Sequence, residues 1–317
     1  MTSRKSAGRL VSAIGAMALA AISNTAAADI ANSTLPTGGE QVTLAQFVED
    51  NGASARVDSS GKLRMLSQRV TAAACYVRAG VDTENTLPAL MGAATEFEAI
   101  LDALEFGDPD RGIIGAEVRR RTIVGLEKLR NEFWAPVAEH ASLIASGAGD
   151  GDTMAVMAQL SEPLLEFAKR MVSEISGQYS DPTILLQADA MLIDVSGRQR
   201  MLSQRISKNA CLLGTGLGSE ATLAELTATM SVFETSLFAL YHGMPEAGIK
   251  TPPTQEISDG LAGVIARWQE LQPVLASVVT GGANTESLAI VYTQTTAMTA
   301  EMNAVVGLYG EASKLGL

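Results

Sequence analysis

The stretch Asp58-Ser-Ser-Gly-Lys-Leu-Arg-Met-Leu-Ser-Gln-Arg69 returns 136 positions later as Asp194-Val-Ser-Gly-Arg-Gln-Arg-Met-Leu-Ser-Gln-Arg205. Sliding the chain by that amount aligns residues 58–113 with 194–249 without a gap, and about 25 of the 56 pairs are identical. Unrelated segments share only a handful of identities, so the chain is an internal duplication. Outside the motif the matched pairs are those a fold needs: Cys75 with Cys211, Gly80 with Gly216, Phe97 with Phe233, Leu101 with Leu237, Leu104 with Leu240, and Gly107 with Gly243. After residue 113 the register drifts, although Trp134-Ala-Pro-Val echoes Leu271-Gln-Pro-Val. Each unit is about 135 residues long, the size of one small domain.

Working outward from the motif, apolar residues recur with helical spacing and turn residues punctuate them. The spacing predicts helices over about 44–79, 85–106, 114–146 and 153–179, then 183–215, 220–242, 254–279 and 285–314. No segment alternates with period two for long enough to suggest a sheet. The expected fold is therefore all-α: two tandem four-helix bundles related by a pseudo-two-fold axis, with domains at 29–180 and 181–317.

Composition agrees. The chain has 317 residues, 47% of them hydrophobic but only 4% aromatic, which favours helices packed through small and straight-chain side chains. A net charge of −12 argues against nucleic acid or an anionic membrane surface as partner, since both require basic patches. It does not argue against a small anion, whose site depends on local charge alone.

At the N-terminus Arg4, Lys5 and Arg9 precede an apolar run from Leu10 to Ile22, and Ala26-Ala-Ala28 follows as a small-residue cleavage site. Residues 1–28 read as a signal peptide, so an exported, periplasmic mature chain without a membrane span is expected. A membrane anchor needs nearer 20 apolar residues, and no later stretch is expected to qualify. The two cysteines are repeat-equivalent and the compartment oxidising, so a Cys75–Cys211 disulfide is expected, with two buried unpaired thiols as the alternative. Such a bond requires the two units to face each other.

On a helix, Gly61, Arg64, Gln68 and Cys75 lie close to one face, because their separations are near whole turns. Gly197, Arg200, Gln204 and Cys211 repeat the pattern. If the cysteines bond, Arg64 and Arg200 are drawn together along the same seam. Two guanidinium groups about 6 Å apart repel by roughly 3 kcal/mol at an effective dielectric of about 20, whereas an anion about 4 Å from each gains roughly 4 kcal/mol per contact before desolvation. Arginine also suits a planar oxyanion, since its rigid fork donates two parallel hydrogen bonds and keeps its charge. The glycines clear space one turn earlier, and the glutamines offer neutral donors.

Plainer roles are expected for the neighbours. Met65, Leu66, Met201 and Leu202 read as core, and Asp58–Lys62 and Asp194–Arg198 as ordinary i, i+4 pairs on a solvated face. Arg69 and Arg205 are expected to pair with Glu98 and Glu234, and Ser67 and Ser203 to bond back to their own helices. His140 and His242 are not repeat-equivalent and lack metal-ligand spacing, and no phosphate loop or nucleophile elbow is present. Gly214-Thr-Gly-Leu-Gly218 follows a helix and reads as its stop. No metal, cofactor or catalysis is expected; a structural role for Arg64 and Arg200 within a protein-interaction module is the alternative.

The doubled Gly-x-x-Arg-Met-Leu-Ser-Gln-Arg run, with Phe97-x-x-x-Leu-x-x-Leu-x-x-Gly107 and its repeat at Phe233 to Gly243, resembles the sensor domain at the N-terminus of type IV pili methyl-accepting chemotaxis transducers. That domain is similar to the periplasmic sensor domain of nitrate/nitrite histidine kinases, which dimerises as a four-helix bundle and holds nitrate between its first helices through an arginine and a nearby glycine. The resemblance implies that Gly61, Arg64, Gly197 and Arg200 form such a site within one chain. It implies nitrate or nitrite as ligand and a membrane receptor, kinase or transporter as partner.

Overall fold

The computed structural model describes residues 53–179 and 187–316. The leader read at 1–28, the start of the helix expected from residue 44, and the link between the halves lie outside the described residues. Helix α1 (Ala53–Arg78) carries the first motif, followed by α2 (Thr83–Phe106), α3 (Arg120–Lys128), α4 (Ala135–Ala145) and α5 (Gly151–Tyr179). Helix α6 (Gln187–Gly214) carries the second motif, followed by α7 (Glu220–His242), α8 (Gln255–Val279) and α9 (Thr285–Lys314). Among the described residues there is no strand, and the protein is all-α as the periodicity predicts.

Seven of the eight predicted helices match within about two residues at the ends that are described. The third differs at its start, which falls at Arg120 rather than 114. Side chains claim the backbone there before a helix can. Arg56, 2% exposed on α1, donates to the carbonyl oxygens of Leu104 at 2.8 Å and of Gly115. Glu117 accepts from the N–H groups of Val118 and Arg119 at 2.9 and 2.8 Å and from the Tyr179 hydroxyl at 2.8 Å. Burial alone would raise the Glu117 pKa, but these hydrogen bonds and Arg119 hold it below the ordinary glutamate value. At Gly107 (φ +86°) a Cβ would stand 2.6 Å from the Gly115 carbonyl oxygen, so this close approach accepts only glycine.

Between α3 and α4 the chain continues as a π turn, Leu129–Trp134. Trp134 is fully buried, stacks on Phe97 with ring centroids 4.1 Å apart, and donates its indole N–H to Glu98. In the second half Trp268 meets Phe233 at 4.8 Å. The repeated phenylalanines are thus the floor on which each tryptophan rests, and burying a large apolar side chain contributes about 2–3 kcal/mol.

Buried apolar side chains gather into two clusters. One is built mainly from α1, α2, α4 and α5, with Leu63, Leu66, Phe97 and Trp134 at its centre. The other is built mainly from α6 to α9 around Met201, Leu202, Phe233 and Trp268. Helix α7 is, among the described residues, the one helix long and apolar enough to cross a membrane, contrary to the expectation that no later stretch would qualify. Its Leu226, Phe233, Leu237 and Leu240 are fully buried in the second cluster, while Val232 stays exposed.

Helices α1 and α6 pack along one another and join the two clusters. Cys75 and Cys211 form a disulfide across this contact, with Cα atoms 6.1 Å apart. One turn-length away the buried Tyr76 hydroxyl donates to the Ser207 carbonyl oxygen at 3.1 Å, a second tie between the same helices.

Candidate functional site

Cys75 is eleven residues beyond Arg64, close to three whole turns, so the disulfide sets the rotation at which the two arginines meet. Both are buried: Arg64 is 9% exposed and Arg200 4%. Their guanidinium groups converge over Gly61, where a Cβ would stand 3.8 Å from Arg64 Nη2 and 4.0 Å from Arg200 Nη2. At Gly197 a Cβ would stand 3.4 Å from Arg200 Nη2. The four residues Gly61, Arg64, Gly197 and Arg200 are therefore brought together as the helical spacing predicts.

Two acids complete the cluster in a reciprocal pattern. Arg64 reaches across to Asp194 at 3.3 Å, and Arg200 reaches across to Asp58 at 3.4 Å. Each aspartate is held more closely by its own helix, Asp58 by Lys62 at 2.9 Å and Asp194 by Arg198 at 2.6 Å. The expected i, i+4 pairs exist, but their carboxylates also serve the facing arginine. At 3.3–3.4 Å the cross-helix contacts exceed the ~2.7–2.9 Å of a strong charge-assisted hydrogen bond.

The donors are unequally engaged. Arg200 gives Nη1 to Asn303 Oδ1 at 2.7 Å and Nε to the Gly197 carbonyl oxygen at 3.3 Å, while Arg64 directs both Nη1 and Nη2 at one Asp194 oxygen. Burial pushes the Arg64 pKa down, Asp194 opposes this, and Arg198 and Arg200 add to it. Four cationic side chains, Lys62, Arg64, Arg198 and Arg200, thus face two carboxylates. A further small anion would be electrostatically favoured there.

Gln68 and Gln204 turn away from this cluster. Gln68 Nε2 lies 3.3 Å from Ser161 Oγ on α5, and Gln204 Nε2 lies 2.8 Å from Thr299 Oγ1 on α9. Four residues advance a helix by one turn and about 40°, which is enough to aim these side chains at the next helix. Ser67 and Ser203 bond back to the carbonyl oxygens of Arg64 and Gln199, as expected. Arg69 and Arg205 do not meet Glu98 and Glu234. Glu98 is taken by Arg130 at 2.5 Å, Glu234 accepts from Gln272 at 2.8 Å, and Arg205 pairs with Glu162 and Glu225. His140 Nδ1 lies 2.7 Å from the Pro136 carbonyl oxygen, and His242 packs between the rings of Phe238 and Tyr241.

Comparison with known proteins bears on both halves. No curated protein and no solved structure matches the chain. The type IV pili methyl-accepting chemotaxis transducer N-terminal (PilJ) family matches residues 48–146 and again residues 185–292, so each occurrence of the motif lies within its own match. Matched over more than half its length, the chain belongs to the PilJ family of chemoreceptor-associated sensory and interaction domains.

Proposed function

We propose that this protein is an exported, periplasmic, non-catalytic sensor or binding protein that captures one small planar oxyanion between α1 and α6. Nitrate or nitrite is the first ligand to test. In this reading residues 29–180 and 181–317 are two copies of the domain about a pseudo-two-fold axis, so one chain supplies both halves of the site. The observation that carries it is the convergence of the Arg64 and Arg200 guanidinium groups over Gly61, with four cations against two carboxylates. The disulfide fits an oxidising compartment, and the family fits a role in chemotaxis signalling, with a membrane receptor, kinase or transporter receiving the signal.

Gly61, Arg64, Gly197 and Arg200 hold the anion in this proposal. Gln68 and Gln204 brace the arginine-bearing helices against α5 and α9. A bound oxyanion would take the arginine donors that Asp58 and Asp194 engage only at long distance, so it need not break a strong ion pair.

The two glycine substitutions that test this differ in one respect. Gly61→Ala adds a Cβ at ordinary contact distance from both guanidinium groups, so nitrate affinity stays within about twofold while the helix gains about 1 kcal/mol. Gly61→Leu places a branched side chain between the guanidinium groups and is expected to weaken nitrate binding by about 100-fold, nearly 3 kcal/mol. Calorimetric titration of both variants, with circular dichroism to verify the fold, reads the difference. Equal nitrate binding by a folded Gly61→Leu protein would remove the anion from this position.

A second reading has its own observation. Each arginine already has a carboxylate across the seam, so the pair could be purely structural, in a module that docks onto a chemoreceptor, transporter or pilus component. Removing those carboxylates separates the readings.

A further inference from the structure

One turn beyond the seam, the two motif copies end in repeat-equivalent arginines with opposite surroundings. Arg205 is enclosed by acids: its guanidinium donates to Glu225, and its Nη2 lies 2.9 Å from Glu162. Lys208, 3% exposed, completes the cluster 3.7 Å from the same Glu225 carboxylate.

The 136-residue shift carries Arg205 onto Arg69, Lys208 onto Ala72, and Glu225 onto Ala89. Gln68 reaches Ser161 and Gln204 reaches Thr299, so these hydroxyls hold corresponding places, and the residues after them are Glu162 and Ala300. Every ionised neighbour of Arg205 is therefore an alanine around Arg69. Arg69 makes no ion pair among the described residues, although it is only partly exposed. With Ala89 and Ala300 it lines an open groove of about 420 Å³ between α1, α2 and α9, which Lys62, Asn303 and Arg200 of α6 also line. The second half fills the matching region with side-chain charge, whereas here the space is left beside a permanent cation.

We propose that this groove binds a small aliphatic carboxylate. Its carboxyl group pairs with Arg69 as the Glu225 carboxylate pairs with Arg205, and its hydrocarbon lies against Met65, Ala89 and Ala93. Glu96, the one acid lining the groove among the described residues, is bound through both oxygens by Arg111 at 2.7 and 2.8 Å, so its charge is already matched. The bidentate fork of arginine is the partner a carboxylate prefers, and the alanine walls suit a short alkyl chain. Lys62 and Arg200 line the same groove, so the carboxylate position is told apart from the oxyanion position over Gly61 by its dependence on Arg69.

The test is calorimetric titration of the full chain with butyrate and hexanoate, with nitrate in parallel, using wild type, Arg69→Gln, Ala89→Glu and Arg64→Ala. Ala89→Glu supplies the carboxylate found at the equivalent position of the other half, so it should occupy Arg69 from within and leave the fold intact. The expected result is carboxylate binding by wild type, weakened about tenfold or more in both variants, with nitrate behaviour unchanged in both. Should Ala89→Glu not fold, Arg69→Gln decides alone by the same readout. No binding of either carboxylate to wild type, or equal binding by wild type and a folded Arg69→Gln, overturns the proposal. So does carboxylate binding that survives Arg69→Gln and is lost in Arg64→Ala, because the ligand would then sit at the seam.

Discussion

Reduction of the Cys75–Cys211 disulfide lowers the midpoint of thermal unfolding by about 10 °C. The bond joins residues 136 apart, and in the chain-entropy account closing a loop of that length restricts the unfolded chain by about 5 kcal/mol. For a folded body of roughly this size, each kcal/mol moves the midpoint by about 2 °C. Both sulfurs are buried, with Cys75 and Cys211 at 1% and 0% exposure, so Cys75→Ala with Cys211→Ala is the cleaner comparison. The Tyr76–Ser207 hydrogen bond and the packing of α1 on α6 remain, so the variant is expected to stay folded at 25 °C. Scanning calorimetry with and without reductant measures the shift, and thiol titration of unfolded, unreduced protein counts free cysteines. Two free thiols and no shift would contradict the covalent tie that sets the rotation of the arginine seam.

Replacing both aspartates, as Asp58→Asn with Asp194→Asn, is expected to raise nitrate affinity about tenfold and to make the fold depend on the anion. A carboxylate about 6 Å from a bound anion repels it by nearly 3 kcal/mol at an effective dielectric of about 20. Both aspartates are about 40% exposed, so solvent screening reduces this to about 0.7 kcal/mol each. Together that corresponds to about a tenfold change in affinity. Without anion the same variant loses the charges that face Arg64 and Arg200, and its melting temperature falls. If the proposed site is correct, nitrate restores it by taking their place. If the arginines are structural only, the loss of stability remains and nitrate does not rescue it. Thermal unfolding of the variant with and without nitrate at matched ionic strength distinguishes the two.

Much of this architecture is legible in the sequence because the duplication supplies its own comparison. The shift of 136 residues picks out Arg64 with Arg200, Gly61 with Gly197 and Cys75 with Cys211, and whole-turn spacing then aligns them on one face. What is not legible depends on rotation about that seam and on side-chain reach. Asp58 and Asp194 read as surface i, i+4 acids because the sequence names only their local partner. Their cross-helix role requires the facing helix, and the signal available was that both copies keep the acid six residues before the arginine. Gln68 and Gln204 share the arginine face to within about 40°, a difference that spacing does not resolve but packing does. Trp134 and Trp268 serve matching phenylalanines although the sequence pairs Trp134 with Leu271. The π turn at Leu129–Trp134, in the stretch where the repeat loses register, has no counterpart in α8. Arg56 and Glu117, which hold residues 113–119 out of the helix, are 61 positions apart and have no short-range signature.

The most direct measurement is thermal unfolding of the oxidised protein against nitrate, nitrite, sulfate, phosphate and chloride at matched ionic strength, beside the double variant Arg64→Ala with Arg200→Ala. A ligand present at about 100 times its Kd stabilises the native state by roughly 2.7 kcal/mol, a shift of about 5 °C for a protein of this size. The proposed site predicts such a shift with nitrate or nitrite and its absence in a folded double variant. No selective shift with any of the five anions, or the same shift in the double variant, would contradict it.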